Sequence, residues 1–106
     1  DLKKPGADET GYSRTPLRAL SSLLGGWKRV RADLPRVSAP LLVFRSVDDH
    51  VVDEISLELI RNGVSSTIAE YVTLTDSFHV ATLDFDAPLI FEQSAEFIAE
   101  HLGTAA

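Results

Sequence analysis

Apolar residues follow two different spacings along the chain, and the spacing changes near residue 40. In the first region they recur at the three- and four-residue intervals of an amphipathic helix, at Leu17, Leu20, Leu23, Leu24 and Trp27. Thr15 is a suitable N-cap for this helix, and Pro16 suits its first helical position. Gly25 and Gly26 are expected to break or bend it, and a second short helix is expected to follow until Pro35 stops it.

Two segments after residue 40 are predicted to be strands. LLVF at 41 to 44 is a continuous apolar run, which is typical of a strand covered on both faces in a parallel sheet. TIAEYVTL at 67 to 74 is the second predicted strand. Because two parallel strands are too few for a stable sheet, we expect the missing strands to come from a larger α/β domain or from another chain.

A helix is predicted after each of these strands. Asp53 can cap a helix over residues 54 to 62, with Gly63 as its stop. The last helix is predicted to begin near Asp86 and to end before Gly103. The positions expected to be buried are Ile55, Leu59 and Ile60 in the first of these helices and Ile90, Phe91, Phe97, Ile98 and Leu102 in the second. The order strand, helix, strand, helix predicts an α/β layer fold.

Composition narrows the classes of function. The chain has 106 residues, which suits one small domain, and its formal net charge is −6. Because no basic tract offsets this charge, binding to nucleic acid or to an anionic membrane is not expected. No apolar run approaches the roughly 20 residues of a transmembrane helix, and the polar start does not have the pattern of a signal peptide. The absence of cysteine excludes a thiolate nucleophile and agrees with a cytoplasmic location.

The loops that follow the two predicted strands carry the candidate chemistry. They read RSVDDHVVD from residue 45 and TDSFHVATLD from residue 75. Adjacent parallel strands end at the same edge of a sheet, so the acids of the first loop and His79 of the second are expected to meet there. A carboxylate at Nδ1 of His79 would fix the ring tautomer and stabilise the imidazolium that forms when Nε2 takes a proton. Such a pair would need a nucleophile from elsewhere.

Other interpretations of these residues stay open. His79 can be a solvated or structurally hydrogen-bonded histidine, and Asp48 and Asp49 can be surface acids or helix caps. A metal site could use His50, His79 and nearby carboxylates, but the sequence has neither a His-x-x-x-His pair nor a compact cluster of ligands. No metal or cofactor is therefore predicted. His101, near the end of the last helix, is expected only to interact favourably with the helix dipole.

Taken together, these blocks resemble a known family. APLLVFRSVDDHVVD, followed by LTDSFHVATLDFD, is similar to the last third of an α/β-hydrolase of the bacterial carboxylesterase and monoacylglycerol lipase type. DLKKPGADETGYSRTPLRAL resembles the stretch that leaves the cap region of those enzymes. The resemblance implies a cap-exit loop and helices over residues 1 to 35. It implies the carboxyl-terminal strand-helix-strand-helix part of the α/β-hydrolase core over residues 36 to 106.

The resemblance also implies roles for individual residues. The family pattern of a small residue, two variable positions and the triad acid places that acid at Asp49, with Asp48 one residue early. Ser77-Phe78-His79 matches the context of the triad base, so His79 would be general base in acylation and general acid toward the departing alcohol. The implied substrate is a small-molecule carboxylic ester with an apolar acyl chain, bordered by the helices of residues 15 to 34.

The chain departs from the family pattern at the nucleophile. No two glycines flank a serine as in Gly-x-Ser-x-Gly, and neither Ser46 nor Ser77 lies in a strand-to-helix elbow. The nucleophile and the oxyanion hole are therefore expected in the N-terminal part of the same hydrolase, upstream of Asp1 or on a separate chain. This segment alone is expected to be inactive. The competing hypothesis is a non-catalytic α/β binding or interaction module that uses the same sheet edge.

Overall fold

A computed structural model describes residues 1–103. The core part expected over residues 36 to 106 therefore ends in three residues, 104 to 106, that lie outside the described residues. From residue 41 onward the strand, helix, strand, helix order is confirmed. The regular elements are α1 (Leu17–Asp33), a 3₁₀ turn (Leu34–Arg36), β1 (Leu41–Ser46), α2 (Ile55–Gly63), β2 (Ala69–Leu74), a second 3₁₀ turn (Ala81–Leu83) and α3 (Ala87–His101).

The strands β1 and β2 form a two-stranded parallel sheet with helices around it. The register pairs Leu41 with Ala69 at one end and Ser46 with Leu74 at the other. Both strands therefore end at the same edge, and the ladder continues there through a bond from the Val47 amide to the Leu74 carbonyl at 2.9 Å. This edge positions the two loops that carry the candidate residues.

The helix α1 differs from its prediction. It is continuous from Leu17 to Asp33, so the expected break or bend at Gly25 and Gly26 was wrong. Each glycine weakens a helix by about 1 kcal/mol relative to alanine, but neither has a positive φ, and helical backbone remains accessible to both. The N-cap position is held by Pro16 in extended conformation, with its carbonyl accepting the first helical bond, and no side chain caps this end.

The helix α2 begins and ends close to its predicted limits. Asp53 lies one residue before the N-cap position, which is Glu54. Its Oδ1 atom accepts a hydrogen bond from the Ile55 amide at 3.0 Å. Gly63 ends the helix without a left-handed φ. Its lack of a side chain has a packing reason instead, because a Cβ there would lie 2.7 Å from Leu34 Cδ1 and 2.9 Å from Leu34 Cβ. Ile55 was expected to be buried, and this was wrong, since it is 61% exposed.

The helix α3 buries a narrower face than its sequence predicts. Ile90 is buried at 8% exposure and packs near the sheet, whose innermost apolar residue is Leu74 at 2%. Phe97 is half-buried. The expected burial of three other residues was wrong, because the elements around α3 do not reach them: Phe91, Ile98 and Leu102.

The chain exposes more surface than a compact protein of its size. Its solvent-accessible area is 8012 Å², whereas a compact monomer of this mass exposes roughly 5,800 Å². Its radius of gyration is 15.8 Å, compared with about 13 Å for a compact chain of similar length. The exposed apolar residues include those whose spacing predicted α1, namely Leu17, Leu20, Leu23, Leu24 and Trp27. Among the described residues, no helix is both long enough and apolar enough to span a bilayer.

Candidate active site

The loops after β1 and β2 meet at the carboxyl edge of the sheet, as expected from the parallel crossover. Ser46, the last residue of β1, is 4% exposed, and its hydroxyl donates a hydrogen bond to the Phe78 carbonyl at 2.7 Å. This bond joins the end of one strand to the loop that carries His79. The two loops are therefore held together next to the candidate residues.

The carboxylate of Asp49 and the ring of His79 form the central contact of this edge. His79 Nδ1 lies 3.0 Å from Asp49 Oδ2 and 3.1 Å from Asp49 Oδ1. The Asp49 side chain is 10% exposed and the His79 side chain 36%. Asp48, the neighbouring acid, is exposed. Of the two acids that the sequence offered, the structure brings Asp49 to the histidine.

The local backbone explains the orientation of Asp49. Its Oδ1 atom accepts bonds from the amides of Val51 and Val52, both at 2.9 Å, which is the geometry of an aspartate that caps its own turn. Burial by itself raises the pKa of this carboxyl. The Val52 amide, the His79 ring and the Val51 amide outweigh that effect and lower the pKa from 3.8 to about 2. Asp49 is therefore an anion at neutral pH.

An anionic Asp49 determines the state of the histidine ring. The carboxylate can only accept, so Nδ1 of His79 carries the hydrogen and donates it. In the neutral ring, Nε2 is then the nitrogen with a free lone pair, and it can take a proton. A cavity of about 550 Å³ opens beside the pair, and its wall contains both residues. Its apolar lining includes Val43, Leu57, Ile60, Leu74 and Ile90.

Arg45, which was not predicted as a site residue, lies next to the acid from its position on the strand β1. It is 17% exposed, and its Nη1 donates to the Val52 carbonyl at 3.2 Å while lying 3.9 Å from Asp49 Oδ2. The available signal was its position, because this cation directly follows the apolar run LLVF and precedes the acid by four residues.

Asp84 was also missed, although it lies in the quoted LTDSFHVATLDFD block. It is 2% exposed and accepts four backbone hydrogen bonds, two of them from the first residues of the chain. Burial raises the pKa of this carboxyl, but the four amide donors together have a larger, opposite effect. The pKa of Asp84 is therefore below its ordinary value. A buried aspartate that bonds residues about eighty positions away leaves no local pattern in the sequence.

The two serines near the site have structural partners. The Ser46 hydroxyl bonds the Phe78 carbonyl, as described above. The Ser77 hydroxyl donates to Asp86 Oδ2 at 2.9 Å and accepts from the Asp86 amide at 3.0 Å. Ser77 is 1% exposed. These contacts agree with the expectation that neither serine occupies a nucleophile elbow.

The remaining histidines have other surroundings. His50, considered with His79 for a metal site, contacts the carboxylate of Asp1 through Nδ1 and packs its ring 4.5 Å from that of Phe78. His101 closes α3 and packs 4.4 Å from the Phe97 ring. The structure thus gives His50 and His79 different carboxylate partners.

Comparison with known proteins identifies two relatives that are named as lipolytic or esterolytic enzymes. No family model matches the chain. It is 45% identical over 103 residues to a thermostable monoacylglycerol lipase of Bacillus sp. (strain H-257), a match that spans 97% of this chain and 41% of that protein. It is 26% identical over 87 residues to a carboxylesterase of Bacillus subtilis (strain 168), spanning 82% of this chain and 35% of that protein.

A solved structure agrees with these relatives. The chain superposes with a TM-score of 0.90 on one of two metagenome-derived lipolytic enzymes, at 44% identity. The match covers 95% of this chain and 41% of the other. The chain therefore spans about two fifths of the length of the monoacylglycerol lipase and of this lipolytic enzyme.

Proposed function

We propose that this chain, which is of the α/β-hydrolase type, supplies the acid and the base of a serine hydrolase that cleaves carboxylic esters. The observation that carries the proposal is the contact of His79 Nδ1 with Asp49 at 3.0 Å. The names of the relatives, a monoacylglycerol lipase and a carboxylesterase, support ester hydrolysis as the reaction.

The roles of the two residues follow from their protonation states. His79 Nε2 removes the proton from a serine hydroxyl as that oxygen attacks the ester carbonyl, and Asp49 stabilises the imidazolium that forms. His79 then gives this proton to the alkoxide leaving group, which departs as the alcohol. In the second half of the reaction His79 takes a proton from water, the hydroxide attacks the acyl-enzyme, and the serine is released with its proton restored.

The serine and the oxyanion donors belong to a part of the protein that this chain does not contain. Gly-x-Ser-x-Gly is missing from the sequence. The excess of roughly 2,000 Å² of exposed surface and the exposed apolar residues of α1 support a further protein part that covers this side. In this proposal, the chain alone has no esterase activity.

The proposed acyl chain of the substrate lies near α1. A groove of about 920 Å³ runs between this helix and the loop that carries Asp49. Its apolar lining includes Leu24, Trp27, Val51, Val52 and Leu59. Because Val51 and Val52 are the residues whose amides bond Asp49, the groove adjoins the acid of the pair. Apolar walls at this place favour esters with an apolar acyl chain over short polar ones.

A hybrid hydrolase tests the proposal. In this hybrid, the present chain replaces the matching segment of the Bacillus sp. (strain H-257) lipase, which at 45% identity offers a closely similar environment. We expect the hybrid to hydrolyse p-nitrophenyl esters and to be labelled by a fluorophosphonate probe. His79→Gln should lower kcat by about 10³-fold or more and prevent labelling.

The control for this experiment is His50→Gln. His50 is the other exposed histidine at the same edge, and its loss should leave kcat within about threefold of the parent. A folded hybrid without esterase activity, or one whose activity survives His79→Gln, would contradict the proposal. Either result would favour a non-catalytic binding module.

A further inference from the structure

The buried carboxylate of Asp84 connects two distant parts of the chain at the histidine loop. Its Oδ2 atom accepts from the Lys3 amide at 2.6 Å and the Phe78 amide at 3.1 Å. Its Oδ1 atom accepts from the Lys4 amide at 2.8 Å and the Phe85 amide at 2.9 Å. Both oxygens are thus filled by backbone donors, and one side chain fixes residues 3 and 4 to the segment on either side of His79.

Burial makes this arrangement stronger than an ordinary surface contact. Asp84 is 2% exposed, so water does not compete for its four donors. Although burial raises the pKa of its carboxyl, the same four donors bond the anion and lower this pKa below its ordinary value. A neutral or misdirected group in this place would leave backbone amides buried without acceptors, which is costly.

The first residues of the chain also touch the histidine loop at other points. The Asp1 carbonyl accepts from the Val80 amide and its Oδ1 from the His79 amide, each at 3.3 Å. Lys3 Nζ lies 2.8 Å from Asp76 Oδ1. These contacts are longer or more exposed than those of Asp84, and exposed ion pairs contribute little. Residues 1 to 4 therefore form a strap over the histidine loop, with Asp84 as its buried anchor.

We propose that Asp84 is a positioning residue that holds His79 against Asp49 by tying residues 1 to 4 to the loop of residues 76 to 86. Its catalytic consequence rests on the function proposed above, whereas the tie itself does not. Displacement of the strap would move the backbone of Phe78 and His79, and with it the imidazole. Misplacement of a catalytic group by about 1 Å can lower a rate about 100-fold.

Asp84→Asn tests the anchor with almost no change in volume. The side-chain NH₂ group of asparagine takes the place of one carboxylate oxygen. Because each oxygen accepts from two backbone N–H groups, two hydrogen bonds are lost in either orientation. The informative readout is hydrogen exchange at the amides of His79 and Val80, which are bonded to Asp1 and not to Asp84. In the hybrid hydrolase we expect both to exchange at least about tenfold faster, with α2 amides unchanged.

Lys4→Pro tests the same tie from the other side and leaves Asp84 intact. Proline removes the Lys4 N–H donor, whereas the matched control Lys4→Ala keeps it. The readout is the Phe78 amide, whose own acceptor is unchanged. We expect faster exchange of this amide in Lys4→Pro alone. Unchanged exchange at His79 and Val80 in Asp84→Asn, or at Phe78 in Lys4→Pro, would overturn the proposal.

Kinetics of the hybrid test the consequence for catalysis. Asp84→Asn should lower kcat by about 10- to 100-fold and leave KM within about twofold, because it misplaces the base without touching the acyl groove. Asp76→Asn, which changes an exposed acid of the same loop, should leave both within about twofold. An equal kcat for Asp84→Asn and the parent would overturn the positioning role. A parent hybrid with no esterase activity would refute the proposed function instead, while hydrogen exchange would still decide the tie.

Discussion

His79 Nδ1 lies 3.0 Å from Asp49 Oδ2, although the two residues are 30 positions apart in the sequence. The contact arises because β1 and β2 are adjacent and parallel, so that both loops leave the sheet at one edge. Neither residue belongs to a regular element, and each is held by bonds from its own loop and its neighbours. The geometry therefore depends on the loops as much as on the strands.

The assignment of the acid can be tested with two neighbouring substitutions in the hybrid hydrolase. Asp49→Asn removes the charge that stabilises the imidazolium and allows the wrong ring tautomer, so kcat should fall by about 10⁴-fold. Asp48→Asn changes an exposed acid one residue away and should leave kcat within about threefold. The measurement is the initial rate of ester hydrolysis at saturating substrate. A larger loss in Asp48→Asn than in Asp49→Asn would reverse the assignment.

The lowered pKa of Asp49 predicts that the stability of the folded protein depends on pH in the acidic range. Its folded pKa of about 2 lies below the ordinary value of 3.8, so the folded state binds this proton less readily than the unfolded state. The stabilising contribution is therefore complete above about pH 4 and is lost as the pH falls through about 2. Carbon NMR of the Asp49 carboxyl should give a titration midpoint near 2. A midpoint at or above 3.8 would contradict this.

Arg45 is expected to stabilise the loop that carries the acid. Arg45→Met keeps much of the apolar stem but leaves the Val52 carbonyl without its side-chain donor, so the free energy of unfolding should fall by about 1–3 kcal/mol. Urea unfolding of the hybrid, followed by circular dichroism, measures this change. The matched control is Arg36→Met, at a side chain that is 83% exposed, and it should change stability by less than about 0.5 kcal/mol. Equal effects would show that Arg45 has no special role.

Gly63 is expected to tolerate no side chain. In Gly63→Ala the new Cβ would lie 2.9 Å from Leu34 Cβ, which cannot move unless its backbone moves. The free energy of unfolding should therefore fall by about 1–3 kcal/mol. Gly26→Ala is the control, because outside its chain neighbours and the backbone of its own helix no atom of the described residues lies within 4 Å of the added Cβ. That change should stabilise α1 by about 0.5–1 kcal/mol. The thermal midpoints of the two variants should therefore shift in opposite directions, and shifts of the same sign would refute this account.

Predictions from local pattern succeeded where the physical cause is local. The apolar run at 41 to 44 lies within β1, and TIAEYVTL contains β2, because an uninterrupted or β-branched run favours extended backbone. Errors arose where a local preference was treated as decisive. Gly25 and Gly26 weaken a helix without ending it, since the residues on both sides continue the bonding pattern.

Burial was the property that the sequence predicted least well. Phe91 and Ile98 are as apolar as Ile90, yet only Ile90 is buried, because burial depends on which elements pack against a face and not on the residue itself. The apolar face of α1 is a further case, because its spacing predicts an amphipathic helix but does not show whether that face is buried, and in the structure it is exposed.

The sequence by itself determined the order of the elements and the edge at which an acid and His79 would meet, because spacing sets helix and strand and a right-handed crossover sets the edge. Spacing alone left Asp48 and Asp49 as candidates, and the family resemblance indicated Asp49. The tertiary structure brings Asp49 to the ring, and it shows Arg45 and Asp84 bonded to backbone groups of the two loops. The physical reason is that such a hydrogen bond forms only when a donor and an acceptor, on segments up to 81 residues apart, lie within a few tenths of an ångström of about 3 Å. No periodicity along the chain records such a distance.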